Sequence, residues 1–142
     1  YIKWTTVVLL CIYSIMTYRQ NFVWQDPYVF FGHILKYNPD SIAANNNFAM
    51  VLADIGEFQK AINHYKRSIL LSNVYPQPHH NLARIYVQLG DLEMALYEYH
   101  QALKLDPEFV YTHIDLANIY TQLGKNREAE FHRKKVEEIL KR

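Results

Sequence analysis

The chain has 142 residues, half of them hydrophobic, which suits one ordinary domain rather than a multidomain machine. Its 15 basic and 14 acidic residues give a net charge of +1, so it lacks the single-sign field typical of nucleic-acid-binding proteins. One cysteine, Cys11, excludes an internal disulfide, and four glycines and five prolines leave little material for loops. The composition predicts long helices, short corners and no nucleic-acid partner.

The chain opens with an uncharged segment, residues 4–18, between Lys3 and Arg19. A membrane-spanning helix needs about 20 apolar residues, more than this segment has. Because the chain begins with Tyr1 rather than Met, we expect the missing length upstream and predict residues 1–18 to be an apolar helix that ends a transmembrane segment. The alternative is a helix buried in a core. The two flanking charges are balanced and do not predict which side of the membrane the remainder lies on.

Residues 19–39 are predicted to form a juxtamembrane linker and a short helix. Asp26 followed by Pro27 is typical of a helix N-cap with proline in the first turn. Pro39 lies two repeat periods before Pro107, with the period defined below. The short helix is therefore expected to replace the second helix of a degenerate preceding repeat and to close that end of the stack.

From about residue 40 onward, the sequence repeats every 34 residues. The aligned columns are Gly56, Gly90 and Gly124; Ala49, Ala83 and Ala117; Ala61, Ala95 and Ala129; Phe48, Leu82 and Leu116; Leu52, Tyr86 and Tyr120; and Ile55, Leu89 and Leu123. In each unit a helical pattern ends at a glycine, where a left-handed exit is favoured, and a second helical pattern follows. This predicts helix–turn–helix units at residues 40–73, 74–107 and 108–142.

The second unit is the best copy, and it resembles the tetratricopeptide repeat. The matching residues are Leu82, Ala83, Tyr86, Gly90, Ala95, Tyr99, Ala102 and Pro107. The units depart from the family pattern at Asn45, His79 and His113, where tryptophan is common, and at Asn73, where a proline would end the first unit. The resemblance implies an all-α, right-handed superhelical solenoid that binds another protein, here preceded by the apolar N-terminal helix.

The first helices of stacked units line the inner surface of a solenoid, and their face away from the core is mostly polar here. We call this face the groove. After Ala43, the predicted groove residues are Asn47, Met50, Asp54, Gln77, Asn81, Arg84, Gln88, Tyr111, Asp115, Asn118 and Gln122. They are expected to hold an extended peptide or a helix of a partner protein. The alternative is that the stripe is only a solvated inner surface.

Asn47, Asn81 and Asp115 form one column of the groove at the repeat period. An amide can donate to and accept from a peptide backbone without reading its sequence. In some tetratricopeptide proteins, which the repeats resemble, asparagines at this place contact the bound main chain, and Asn47 and Asn81 match them. The family's clamp for terminal carboxylates looks absent, because the first unit offers Asn46 and Met50 and no lysine.

No catalytic residue, metal site or cofactor is predicted. His79 and His113 lie at equivalent positions, which packing explains, and no histidine pair at i, i+4 has a carboxylate partner. Cys11 lies in the most apolar run, where a thiolate is disfavoured. The chain is therefore predicted not to be an enzyme, and any activity would lie upstream of it.

The N-terminal order of features is similar to the end of multi-spanning glycosyltransferase-like proteins, including transmembrane and tetratricopeptide-containing O-mannosyltransferases. The residues concerned are Arg19, Asn21, Trp24, Asp26, Asn38 and Pro39. This resemblance implies a membrane-anchored scaffold with lumenal or periplasmic repeats. The alternative is a soluble, cytoplasmic tetratricopeptide adaptor with its N-terminal helix packed into the solenoid. Self-assembly through the end helices is a third hypothesis, and the sequence leaves the oligomeric state open.

Overall fold

The structure is a computed structural model that describes residues 2–141, with residues 2, 19, 20, 22 and 23 described for their backbone alone. Within residues 2–141 the chain forms eight α-helices and no strand. The helices are α1 (Ile2–Gln25), α2 (Pro27–Tyr37), α3 (Ile42–Asp54), α4 (Phe58–Leu71), α5 (Pro76–Gln88), α6 (Leu92–Leu105), α7 (Val110–Gln122) and α8 (Asn126–Leu140). The prediction of an all-α fold is confirmed.

The helices from α3 to α8 pack as three pairs: α3 with α4, α5 with α6, and α7 with α8. The alanine columns lie at the helix crossings, and Ala49, Ala61, Ala83 and Ala95 are completely buried. A small side chain there lets two helix backbones approach closely, while larger neighbours fill the space beside it. The packing thus follows the columns in the sequence.

Each pair turns at a glycine with a positive φ: +80° at Gly56, +78° at Gly90 and +69° at Gly124. The turn uses two backbone hydrogen bonds that close the end of the helix. In the first pair, Glu57 N–H donates to the Leu52 carbonyl at 2.8 Å, and Gly56 N–H donates to the Ala53 carbonyl at 3.0 Å. Glycine is favoured because a Cβ atom is strained in this left-handed region.

Each pair has a polar bracket centred on a buried side chain, Asn45, His79 or His113, at the position where tryptophan is common in the repeats that the sequence resembles. One side chain of the first helix bonds backward to the connection before that helix and forward to the second helix. The brackets join Pro39 O, Asn45 and His64 at 2.8 and 2.9 Å; Asn73, His79 and Glu98 at 2.7 and 2.6 Å; and Pro107 O, His113 and His132 at 2.9 and 2.8 Å. Hydrogen bonding, and not packing alone, therefore accounts for the equivalent positions of His79 and His113.

Helix α2 packs on α3, as α4 packs on α5. Its start is fixed by Asp26, whose carboxylate accepts from Tyr28 N–H at 2.8 Å. Phe31 of α2 lies one period before Tyr65 of α4. The degenerate half-repeat stays a prediction.

Helix α1 runs past Tyr18 to Gln25, so the first part of the predicted linker is helical. It joins the array through contact with α2, and the side chains of residues 3–18 lie exposed outside the core, Trp4 with 77% of its surface. Among the described residues, no helix has both the length and the apolar character needed to cross a membrane. The predicted transmembrane end at residues 1–18 is therefore unsupported, and Tyr1 and the Arg19 side chain lie outside the described part.

Candidate peptide-binding groove

Three cavities lie between the first helices of the pairs. The first, of about 330 Å³, lies where α3 and α5 begin and is walled by Ile42, Ala43, Tyr75 and Pro78 together with polar side chains. The second, of about 80 Å³, lies where the same two helices end. The third, of about 250 Å³, lies between α5 and α7. The cavities therefore follow the surface on which the groove was predicted.

All the predicted groove residues except Tyr111 line these cavities. Asn47 and Gln77 line the first; Met50, Asp54 and Asn81 line the second; Asp115, Asn118 and Gln122 line the third; Arg84 and Gln88 line both the second and the third. Tyr111 is 63% exposed, and its ring lies against Phe109 and His80. The geometry brings the residues together, and their part in binding stays a prediction.

Two buried tyrosines form the wall beneath the groove. Tyr99 of α6 donates from its hydroxyl to Asp115 Oδ2 of α7 at 2.9 Å, and Tyr65 of α4 lines the second cavity together with Asn81 of α5. Burial raises the pKa of Tyr99, and the Asp115 carboxylate raises it further. Burial likewise raises the pKa of Tyr65, so both hydroxyls stay neutral. The sequence analysis missed this layer, although the two tyrosines are one period apart.

These bonds make the Asn47, Asn81 and Asp115 column uneven. Asp115 already has a tyrosine partner, whereas Asn47 Oδ1 accepts from the Asn46 amide at 3.1 Å. Asn46 Oδ1, in a residue that lines the first cavity, is buried and has no hydrogen-bond partner among the described residues. A ligand would therefore meet a different set of donors and acceptors at each helix.

Arg84 supplies positive charge at the centre of the groove. Among the described residues that line the second and third cavities, it is the one cation, with Asp54 toward α3 and Asp115 toward α7. Burial lowers the pKa of the neighbouring His80, Asp115 opposes this shift, and Arg84 reinforces it. His80 is thus neutral at pH 7, and its Nδ1 lies 3.0 Å from Thr112 Oγ1.

The groove thus presents amides, carboxylates, a guanidinium and apolar walls to solvent. Within residues 2–141, no cluster of three or more His, Cys, Asp or Glu side chains could hold a metal ion.

Two family models match the chain. A tetratricopeptide repeat (TPR) model matches residues 42–75, and a TPR repeat model matches residues 83–124, so that together they cover more than half of the sequence. The chain belongs to the tetratricopeptide repeat family. No catalytic family is indicated, and TPR arrays are typically scaffolds that bind other proteins.

Solved TPR structures share this fold. The crystal structure of MamA is 23% identical with a TM-score of 0.72, over 78% of this chain and 65% of MamA. The second TPR of Spaghetti (RPAP3), bound to the HSP90 peptide SRMEEVD, is 22% identical with a TM-score of 0.65, over 72% of this chain and 95% of its own. The present chain thus spans less than two thirds of MamA, and these likenesses establish the fold alone. No curated protein matches the sequence.

The resemblance to membrane glycosyltransferases finds no support in these comparisons. Both matching models describe TPR units, and neither covers residues 19–39, on which that resemblance depended. The membrane-anchored interpretation rested on two arguments, the predicted transmembrane end and this resemblance. Neither argument is supported.

Proposed function

We propose that this TPR chain is a binding module that holds an extended segment of a partner protein in its groove. The observation that carries the proposal is the row of cavities between α3, α5 and α7. Their walls contain the residues that were predicted to line the groove from their positions in the repeat. The peptide bound to the RPAP3 TPR, a protein of similar fold, supports the same use of the fold.

The first cavity is suited to anchor one side chain of the segment. Its apolar walls are Ile42, Ala43, Tyr75 and Pro78. Burying an apolar side chain there would contribute about 1.5–3 kcal/mol. A donor on the same side chain, such as a hydroxyl or an indole N–H, would pair with the unpartnered Asn46 Oδ1 after a rotation of that amide.

The polar column would hold the backbone of the segment next to the anchor. Asn47 keeps hydrogen-bonding capacity beyond its bond from Asn46, and Asn81 offers its own, because an amide has two donors and two acceptor lone pairs. Asp115 can only accept, so the third position would take a peptide N–H or a positive charge.

The test fills the first cavity by enlarging one of the side chains that line it. Peptides that bind the wild-type chain are selected from a random phage-displayed library, and their affinities are measured by fluorescence anisotropy. Ala43 is exposed at the start of α3, so Ala43→Trp places an indole in the cavity without entering the core. The expected loss of affinity is about tenfold or more, the equivalent of one buried side chain.

The matched control is Lys66→Trp, which adds the same side chain to an exposed position of α4 that lines none of the three cavities. It is expected to bind the selected peptides as the wild type does. Circular dichroism checks that both variants are helical. Selected peptides that bind Ala43→Trp with wild-type affinity would overturn the proposal.

A further inference from the structure

We propose that the groove selects segments in which an acidic side chain lies between two basic ones, with the acidic group on Arg84. This inference rests on the proposed function of the groove and specifies the chemistry of its ligand. It follows from the order of charges on three successive first helices: Asp54 on α3, Arg84 on α5 and Asp115 on α7.

The three charges share adjoining cavities. Asp54 and Arg84 line the second cavity, and Arg84 and Asp115 line the third. An extended segment that crosses the first helices would therefore meet negative, positive and negative charge in turn. Its complement is a segment that reads positive, negative, positive.

These charges are available to a ligand. Neither Asp54 nor Arg84 forms an ion pair within the part of the chain that the structure describes. Asp115 keeps 30% of its side chain exposed, and the nearest histidine nitrogen, His80 Nε2 at 3.8 Å, belongs to a ring that is neutral at pH 7. The groove therefore leaves its own charges for an incoming segment to pair.

The walls of the two cavities strengthen this selection. Tyr65 lines the second cavity and Tyr99 the third, and both tyrosines are almost fully buried. Charges that meet above buried rings are less screened by water than charges on an open surface. A uniformly acidic segment would gain at Arg84 and lose at both aspartates, so the pattern, rather than the net charge, decides binding.

The test compares peptide preference before and after the central charge is reversed. Random phage-displayed libraries are selected on the wild type, on Arg84→Glu and on Lys66→Glu, which makes the same charge change outside the groove. Wild-type and Lys66→Glu selections are expected to enrich Asp or Glu flanked by Lys or Arg. The Arg84→Glu selection is expected to enrich Lys or Arg at the central position.

A swap experiment gives the magnitude. Changing the central acidic residue of a selected peptide to lysine is expected to weaken its binding to the wild type by about tenfold, the size expected for a partly desolvated charge pair. The same lysine peptide should bind Arg84→Glu with the affinity that the wild type has lost. Arg84→Gln, which carries no charge, should bind both peptides with similar affinity. It also keeps the test decisive if the reversal impairs folding.

Two outcomes would overturn the inference: the same sequences selected on wild type and Arg84→Glu, or wild-type peptides with a basic centre. If either outcome is found and Ala43→Trp still weakens peptide binding, binding in the groove is retained and the charge pattern is refuted. Peptides that bind Ala43→Trp normally would instead remove the proposed function itself.

Discussion

Acidification is expected to weaken the last helix pair through His132. This side chain is 6% exposed, its Nδ1 lies 2.8 Å from His113 Nδ1, and its ring stacks on Tyr120 at 5.6 Å between centroids. Burial lowers the pKa of His132 to about 4, and the positive charge that His113 and His100 would carry adds to the shift. Protonation of this ring is therefore unfavourable in the folded chain.

The hydrogen bonds indicate which ring nitrogens of the bracket carry protons. His113 Nε2 must donate to the Pro107 carbonyl, 2.9 Å away, because a carbonyl oxygen only accepts. Neutral His113 then has a lone pair on Nδ1, and His132 Nδ1–H donates to it. One proton lies between the two nitrogens, and a proton added to either ring places positive charge in a buried site.

The direction and size follow from the two pKa values. In the unfolded chain His132 titrates near 6.5, the ordinary histidine value, so between pH 6.5 and 4 the unfolded state binds more protons than the folded state. The contribution of His132 is fully present above pH 6.5 and is lost as the pH falls toward 4. The full difference corresponds to about 3 kcal/mol, which partial solvent screening reduces to about 1–3 kcal/mol.

Urea denaturation followed by circular dichroism at pH 7.0, 5.5 and 4.5 measures this loss. His132→Gln keeps an amide donor for His113 and cannot titrate, so its free energy of unfolding should fall less between pH 7.0 and 4.5 than that of the wild type. His33→Gln is the matched control, because His33 is exposed on α2. Equal losses in the wild type and in His132→Gln would refute the reasoning.

Five further substitutions, two of them controls, test the fold and the groove wall by urea denaturation. Gly90→Ala should lower the free energy of unfolding by about 1 kcal/mol, because φ is +78° there. Gly32→Ala is the control in the interior of α2: its added Cβ would lie 4.0 Å from the Phe48 ring, so the change should be neutral or stabilising. Equal costs for the two variants would contradict the turn argument. Ala95→Leu should cost about 1–3 kcal/mol at the fully buried crossing, and Gln101→Leu under about 0.5; the reverse order would contradict the packing. Tyr99→Phe should cost about 1 kcal/mol through its lost bond to Asp115, and wild-type stability would contradict that role.

The repeat fold and the groove positions could be predicted because they depend on local rules. Glycine is favoured where a chain leaves a helix with positive φ, and the positions of Gly56, Gly90 and Gly124 indicated all three turns. Helical periodicity then fixes which positions of a first helix are left outside the core. Periodicity places Arg84 and Gln88 on this face outside the core, and both residues line the second and third cavities.

The polar brackets and the true end of α1 could not be predicted, for two different reasons. His79 and Glu98 lie on different helices, and nothing in the local sequence marks a carboxylate as the partner of that histidine. Residues 4–18 form an uncharged run that is too short to span a membrane by itself, and the same pattern is also compatible with a core or an interface, so the predicted surroundings found no support. Contacts between helices, and the surroundings of a single helix, can be assigned only when the three-dimensional fold is known.

The tyrosine contacts have a consequence for exchanging parts between TPR proteins. Tyr99 of α6 donates to Asp115 of α7, and Tyr65 of α4 lines the second cavity with Asn81 of α5, so each contact crosses from one helix pair to the next. The segments that join these groove residues to their neighbouring tyrosines are therefore α4–α5 and α6–α7, half a period out of step with the pairs that carry folding. A transferred segment that begins and ends at the repeat boundaries would separate a groove residue from the tyrosine that contacts it. A transferred segment that begins and ends at the glycine turns would keep the two residues together.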